Sequence, residues 1–221
     1  MNSIKYFFQF IIIMLLFVIF KILRYEIASN ISSKLFKIFG PFFRSKKLIK
    51  QNILKAFPNI SDKDLKIISN NMWGNYGRIL SEYVFLKDFS LSESHNNLEI
   101  IGQNFLQEIK NEGKPVIFIS GHFNNFELMA MHIESSGIEL AAVYRPLNNK
   151  FLNYIMEKIR RKYICKNQVK KGISGTKQLL SFFKKNTSIA LMIDQRVSQG
   201  IKSNFFNQKA YTTTIPAQFA K

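Results

Sequence analysis

Acid, cysteine and tryptophan are the scarce residues of this 221-residue chain: 14 Asp and Glu stand against 32 Lys and Arg, with one Cys and one Trp. The lone thiol, Cys165, excludes an intrachain disulfide framework and any Cys-based metal cluster, and its residue type reads as a small buried side chain. No His-Glu-x-x-His pair occurs, so two helical histidines facing one zinc are absent, and there is no P-loop or Gly-rich phosphate loop. Neither an internal repeat nor a low-complexity tract interrupts the chain. The shortage of acid leaves a formal charge of +18. What is abundant is apolar: 47% of the residues are hydrophobic and 22 are Phe, which excludes a disordered basic tail. One domain's worth of core must be buried beneath a cationic surface. That charge suits nucleic acid, an anionic membrane, or an acidic protein or ligand.

The first thirty residues separate these partners. Tyr6 to Phe20 (YFFQFIIIMLLFVIF) carries no charge and is bounded by Lys5 and Lys21. As a helix it is about 22 Å long, and extension to Ile4 and Leu23 reaches the hydrocarbon thickness of a bilayer if the two lysines snorkel. Spanning the membrane and lying in its interface both remain open. A cleaved signal peptide is the alternative, but the Ala28-Ser29 pair is a poor cleavage site. Between Lys21 and Lys55 nine basic residues accompany one acid, Glu26, so the positive-inside rule keeps the remainder of the chain in the cytoplasm. Ile31, Leu35, Ile38, Phe39, Phe42 and Phe43 then recur at helical spacing with Lys34 and Lys37 between them, which suits a helix lying on lipid or, alternatively, one facing a core. A membrane surface therefore leads nucleic acid as the partner.

The chain divides into three expected segments: residues 1–24 as an anchor, 25–97 as a helical membrane-surface segment, and 98–221 as an α/β core. Gly40-Pro41 and Phe57-Pro58-Asn59 punctuate the helices of the second segment, and Ser61 with Asp62 and Asp64 opens a long third one. From Leu98 the pattern alternates. Strands are expected at 98–101, 116–120, 140–144 and 188–193, with helices at 103–111, 125–135, 149–163 and 174–185. The fold class is thus α/β, with a mostly parallel sheet flanked by helices.

Ligands of open α/β sheets gather beyond the carboxyl ends of the strands. Three such ends are polar here. Gly121-His122-Phe123-Asn124-Asn125-Phe126-Glu127 comes after one strand, Arg145-Pro146 after another, and Asp194-Gln195-Arg196 after the last. His122 in the turn with Glu127 one turn into the next helix would let the carboxylate reach the ring, fix its tautomer and leave the other nitrogen free to take a proton from a hydroxyl. General-base help of that kind is worth about 10² to 10⁴ in rate. The helix N-terminus would favour developing negative charge.

These residues resemble the bacterial lipid A biosynthesis acyltransferases of the lysophospholipid acyltransferase superfamily. Five ordered blocks carry the likeness: Leu48 to Pro58 (LIKQNILKAFP), Asn75 to Glu82 (NYGRILSE), Gly121 to Glu127 as the His-x4-Asp/Glu block, Val143-Tyr144-Arg145-Pro146, and Asp194-Gln195 with Phe205-Phe206 and Thr212-Thr213-Thr214. The resemblance implies transfer of a fatty acyl chain from acyl carrier protein to a hydroxyl of a lipid A precursor, at the cytoplasmic face of the bacterial inner membrane. His122 would be the general base, Glu127 its charge partner, and Arg145, Asp194 and Gln195 would contact substrate. No cofactor and no metal is implied, since an acyl thioester brings its own leaving group. The partners are an acidic carrier, a phosphorylated glycolipid and an anionic membrane rather than nucleic acid. Lys158 to Lys171 (KIRRKYICKNQVKK), with seven basic residues and no acid, is a candidate face for them or simply a solvated helix. Members of the family usually continue past the Thr-rich block, so the sequence is expected to be most of a larger domain. Two rival readings stand: acylation of another membrane lipid, such as a lysophospholipid or a glycosylated phosphatidylinositol, and a non-catalytic, basic, membrane-associated protein that binds nucleic acid.

Overall fold

The computed structural model describes residues 2–90, 98–195 and 197–220. Two compact units interleave along the chain: Met1–Leu15, Leu86–Gln195 and Thr214–Lys221 form one, Leu16–Phe85 and Arg196–Thr213 the other. The first helix, α1 (Asn2–Ile22), contributes to both.

The first unit is built on a parallel sheet. Its strands are β1 (Ile117–Ser120), β2 (Leu140–Tyr144), β3 (Asn167–Lys170) and β4 (Ser188–Met192), laid side by side in the order β1-β4-β2-β3. Between them run α7 (Glu127–Ser135), α8 (Lys150–Tyr163) and α9 (Ile173–Lys184); α5 (Leu86–Ser90) and α6 (Gln103–Glu112) precede the sheet and α10 (Ile215–Phe219) comes after it. Strand alternation decides which side chains meet which helices. Ala141, Val169, Ile189 and Leu191 point to one face and pack with Leu179 of α9, Ile215 and Phe219. Leu140, Tyr144, Gln168 and Ala190, of the opposite parity, are buried as well, so both faces are covered as a parallel sheet requires. Fully covered side chains such as Leu140, Val169 and Ile189 each contribute roughly 1.5–3 kcal/mol.

The α/β class is the one the alternating pattern predicts, with two differences among the strands of this unit. No strand forms at 98–101: this stretch pairs with no neighbour among the described residues, Ile101 is 90% exposed, and Gly102 at φ 85° turns straight into α6. A strand not foreseen, β3, lies in the basic run, where Asn-Gln-Val-Lys gives little apolar signal and is selected by its pairing with β2 (Val143 opposite Val169).

The second unit pairs α2 (Tyr25–Phe39) with α4 (Asp62–Glu82), joined through a 3-10 turn (Gly40–Phe42) and α3 (Lys46–Ala56). Ser45 and Ser61 cap α3 and α4, accepting from the Leu48 and Asp64 N–H groups. The contact between α2 and α4 is made of small residues. Ala28, Ser29, Ser32 and Ser33 are buried on one side, Gly74, Gly77 and Ser81 on the other. Ser32 Oγ donates to the Gly77 carbonyl at 2.6 Å, an approach possible because Gly77 lacks a methyl group, which would strike the Ser32 carbonyl. Apolar Ile27, Ile31, Ile38 and Phe39 are left exposed, as are Phe42 and Phe43, so α2 buries its small polar stripe and not its apolar one. Close approach of small residues, with large apolar ones turned outward, is how helices pair in lipid. A hairpin of β5 (Ile201–Phe205) and β6 (Gln208–Thr212) completes this unit, turning through Phe206 and Asn207 at φ 48° and 56°.

Candidate active site

Sheet order brings together what the sequence separates. β1 and β4 are neighbours with Ser120 opposite Met192, so the second residue beyond each strand, His122 on one and Asp194 on the other, project from the same edge at adjacent positions. The Ile193 N–H still donates to the Ser120 carbonyl (3.0 Å), holding the two strand ends in step. Asp194 then takes two hydrogen bonds from one residue: its Oδ1 lies 2.7 Å from His122 Nδ1, and its Oδ2 accepts from the His122 backbone N–H, also at 2.7 Å. Gly121 makes room for this, since a Cβ there would sit 3.3 Å from Asp194 Oδ2 and 2.9 Å from the Phe123 ring. Partial burial alone would raise the Asp194 carboxyl, but the bonds from the His122 backbone and ring and the charge of the ring outweigh it and hold the group below the ordinary aspartate value.

An ionised Asp194 fixes the His122 tautomer. Nδ1 carries the proton and donates it to the carboxylate, leaving the Nε2 lone pair outward; Gln195 Nε2 lies 3.2 Å from it. The ring is held edge-on against Phe126, 4.7 Å between centroids at 70°. About a third of each side chain faces solvent, 31% for His122 and 36% for Asp194, so the pair is set firmly yet open to a ligand.

Glu127 goes elsewhere. The sequence spacing suggests that its carboxylate reaches the His122 ring, but both ring nitrogens are taken by Asp194 and Gln195. Asn124 turns through φ 41° and α7 starts at Glu127 itself, which carries the side chain to α8. There Arg160 bonds it through Nε at 2.8 Å and Nη2 at 2.7 Å, with the carboxylate 9% and the guanidinium 14% exposed. Arg160 also lies over the Tyr144 ring, 5.8 Å from its centroid. Burial, and then the neighbouring Glu157 carboxylate, push the Tyr144 phenol up to about 12. The Glu127–Arg160 pair thus fastens the first turn of α7, directly after the His122 loop, to α8.

The other expected site residues sit where their strands place them. Arg145 stands just past β2, which neighbours β4, and is exposed at the same sheet edge with no ion pair among the described residues. Arg196 lies outside the described residues. Arg160 had no signal of its own in the sequence, being one base among seven in the 158–171 run. That run is not a single face: Arg161 bonds Glu157 and the carbonyls of Lys166 and Gln168, Ile164 and Cys165 are buried, and Lys158, Lys162, Lys166, Lys170 and Lys171 remain exposed. Among the described residues no three His, Cys, Asp or Glu side chains are grouped to hold a metal ion.

Part of this sequence is similar to that of a known protein, and a family model matches it. Lipid A biosynthesis acyltransferase 2 of Shigella flexneri is 25% identical over 115 residues, which make up 51% of this chain and 36% of that protein. The match thus spans little more than a third of that relative's length. The model of the family described as bacterial lipid A biosynthesis acyltransferase matches residues 1–221, from the apolar helix through the His122 loop to α10, and the chain belongs to that family of acyltransferases.

Proposed function

We propose that the protein transfers a fatty acyl group from the thioester of an acyl carrier protein to a hydroxyl of a lipid A precursor, at the cytoplasmic face of the inner membrane. The observation that carries this reading is the His122–Asp194 pair at the open edge of the sheet, in a chain of this family. In the reaction His122 Nε2, once the Gln195 amide gives way, takes the proton of the acceptor hydroxyl. The oxygen attacks the thioester carbonyl and forms the new C–O bond. As the C–S bond breaks, the thiolate leaves and receives the proton back from the imidazolium. Asp194 stabilises that imidazolium, the role a carboxylate plays beside a catalytic histidine.

Glu127, in this reading, acts through Arg160 to hold the loop that carries His122. Arg145 at the same edge is suited to a phosphate or carboxylate of a substrate, and the exposed lysines between Lys158 and Lys171 suit an acidic carrier. The test is the mass of total lipid A from cells with and without the gene, repeated with His122→Ala. Loss of one acyl increment in both the deletion and the variant, with the variant still on the membrane, is expected. Normal acylation by His122→Ala would overturn the assignment, and a mass change confined to phospholipids would move the acceptor to another membrane lipid.

A further inference from the structure

By length and composition α1 can cross a bilayer, because Ser3–Ile22 is an unbroken apolar helix. Its surroundings argue for something else. The helix has two stripes. Ile4, Phe8, Ile12, Leu15, Val18 and Ile22 are 57% to 81% exposed, while Tyr6, Phe10, Ile13, Phe17 and Phe20, on the other side, are wholly or partly covered.

The cover belongs to the globular part and is polar where it matters. In the first unit Asn149, 7% exposed, caps α8 by accepting from the Phe151 and Leu152 N–H groups, and its Nδ2 donates to the Tyr6 carbonyl of α1 at 2.8 Å. Phe151 packs on Phe7 and Phe10, with centroids 5.7 Å and 6.0 Å away. In the second unit Phe17 and Phe20 are 7% and 1% exposed, and Lys21 Nζ stands 5.4 Å from the centre of the Phe85 ring. Crossing would require hydrocarbon all around α1 or other spanning helices against it. It would also draw the start of α8, with Lys150 exposed beside Asn149, into the bilayer, where a charged side chain is costly.

We propose that α1 does not cross the membrane but lies in the plane of an anionic bilayer surface, with its Ile4–Phe8–Leu15–Ile22 stripe among the acyl chains and its other stripe on the protein. Charge complementarity selects this occupant: Lys5 and Lys21 flank the stripe, and the residues from there to Lys55 hold eight further bases against one acid. Both ends of α1 then stay on the side of the membrane where His122 works, and the site edge is kept next to the lipid that supplies its acceptor.

The inference rests on the membrane association in the proposed function but not on its chemistry, so the test reads topology and not acyl transfer. Ser3→Cys, and Arg24→Cys just beyond the end of α1 and outside the lipid-facing stripe, are introduced separately in the full chain, in a Cys165→Ala background. Each is treated with a membrane-impermeant maleimide in spheroplasts and in inverted inner-membrane vesicles. Labelling of both positions only in inverted vesicles is the expected result. Labelling of the two ends from opposite sides would overturn the proposal, as would loss of residue 3 from the mature chain. A third variant, Leu15→Cys, checks the occupant: efficient disulfide formation between two copies would show that a second chain, and not lipid, covers the stripe, and would also overturn it. Recovery of the protein in the soluble fraction would instead remove the membrane association itself, leaving the His122 assignment to be judged by the lipid A mass.

Discussion

Replacing Asp194 by Asn tests the site most sharply, because the two residues have the same shape and differ in what their second atom can do. Asp194 accepts twice, from the His122 backbone N–H and from His122 Nδ1, each at 2.7 Å. An asparagine has one acceptor oxygen. The backbone N–H is a fixed donor, so it claims that oxygen, and the NH₂ group is turned toward Nδ1. The imidazole can accommodate this only by taking the proton onto Nε2 and accepting at Nδ1. Nε2, the nitrogen that faces the substrate, then has no lone pair for the acceptor hydroxyl. The analogous exchange beside a catalytic histidine lowers kcat by about 10⁴, equivalent to about 5 kcal/mol of transition-state stabilisation. We expect Asp194→Asn to lose about 10³ to 10⁴ in single-turnover acyl transfer while still folding cooperatively, and the ¹⁵N shifts of His122 to report the opposite tautomer. Activity within tenfold of wild type and an unchanged tautomer would refute the reasoning. So would a tautomer exchange produced by Glu127→Gln, which should leave the ring as it is.

Other outcomes rest on the same geometry. Truncating either Glu127 or Arg160 takes the ion-pair partner from a buried charge and should cost about 3–5 kcal/mol; in a double-mutant cycle by denaturant unfolding the pair Glu127→Gln with Arg160→Met should cost much less than the sum of the single changes. Gly77→Ala should destabilise the α2–α4 pair by about 1–3 kcal/mol through overpacking against Ser32, measured by unfolding in mild detergent, with Asn71→Ala at an exposed position of the same helix as the comparison. Burial pushes the Cys165 thiol up to about 12 and it donates to the Leu140 carbonyl at 2.9 Å, so at pH 8 only about 10⁻⁴ of it is thiolate; the native protein should not react with a disulfide reagent on a time scale that labels it fully in denaturant. Asp194 is held below the ordinary aspartate value, so its contribution is complete above that value and disappears only as pH falls through the lower folded value; the stability difference between wild type and Asp194→Asn should persist through mildly acidic solution and close in strong acid.

Local signals in the sequence were enough for the elements that depend on local chemistry. Ser61 with Asp62 and Asp64 marks the start of α4, Gly40-Pro41 the end of α2, and the apolar runs before His122, Arg145 and Asp194 mark β1, β2 and β4. Where the local signal is weak, tertiary pairing decided. β3 exists because its backbone completes the edge of β2, and 98–101 is no strand because no described segment pairs with it.

The candidate site divides in the same way. The sequence by itself determined that a histidine, an arginine and an aspartate stand just beyond three parallel strands, because the positions of turns are set by the ends of apolar runs. Only the tertiary structure decided which of them meet. The order β1-β4-β2-β3 puts Asp194, 72 positions from His122, against its ring, and leads Glu127, five positions away, to Arg160 on α8. Likewise the sequence determined that α1 is apolar enough for lipid, while the structure decided that Phe17 and Phe20 are buried and that Asn149 bonds the Tyr6 carbonyl. Hydropathy and turn chemistry act over a few residues and can be read along the chain. Strand order and side-chain pairing depend on which surfaces can be buried together, and no single stretch of sequence carries that information.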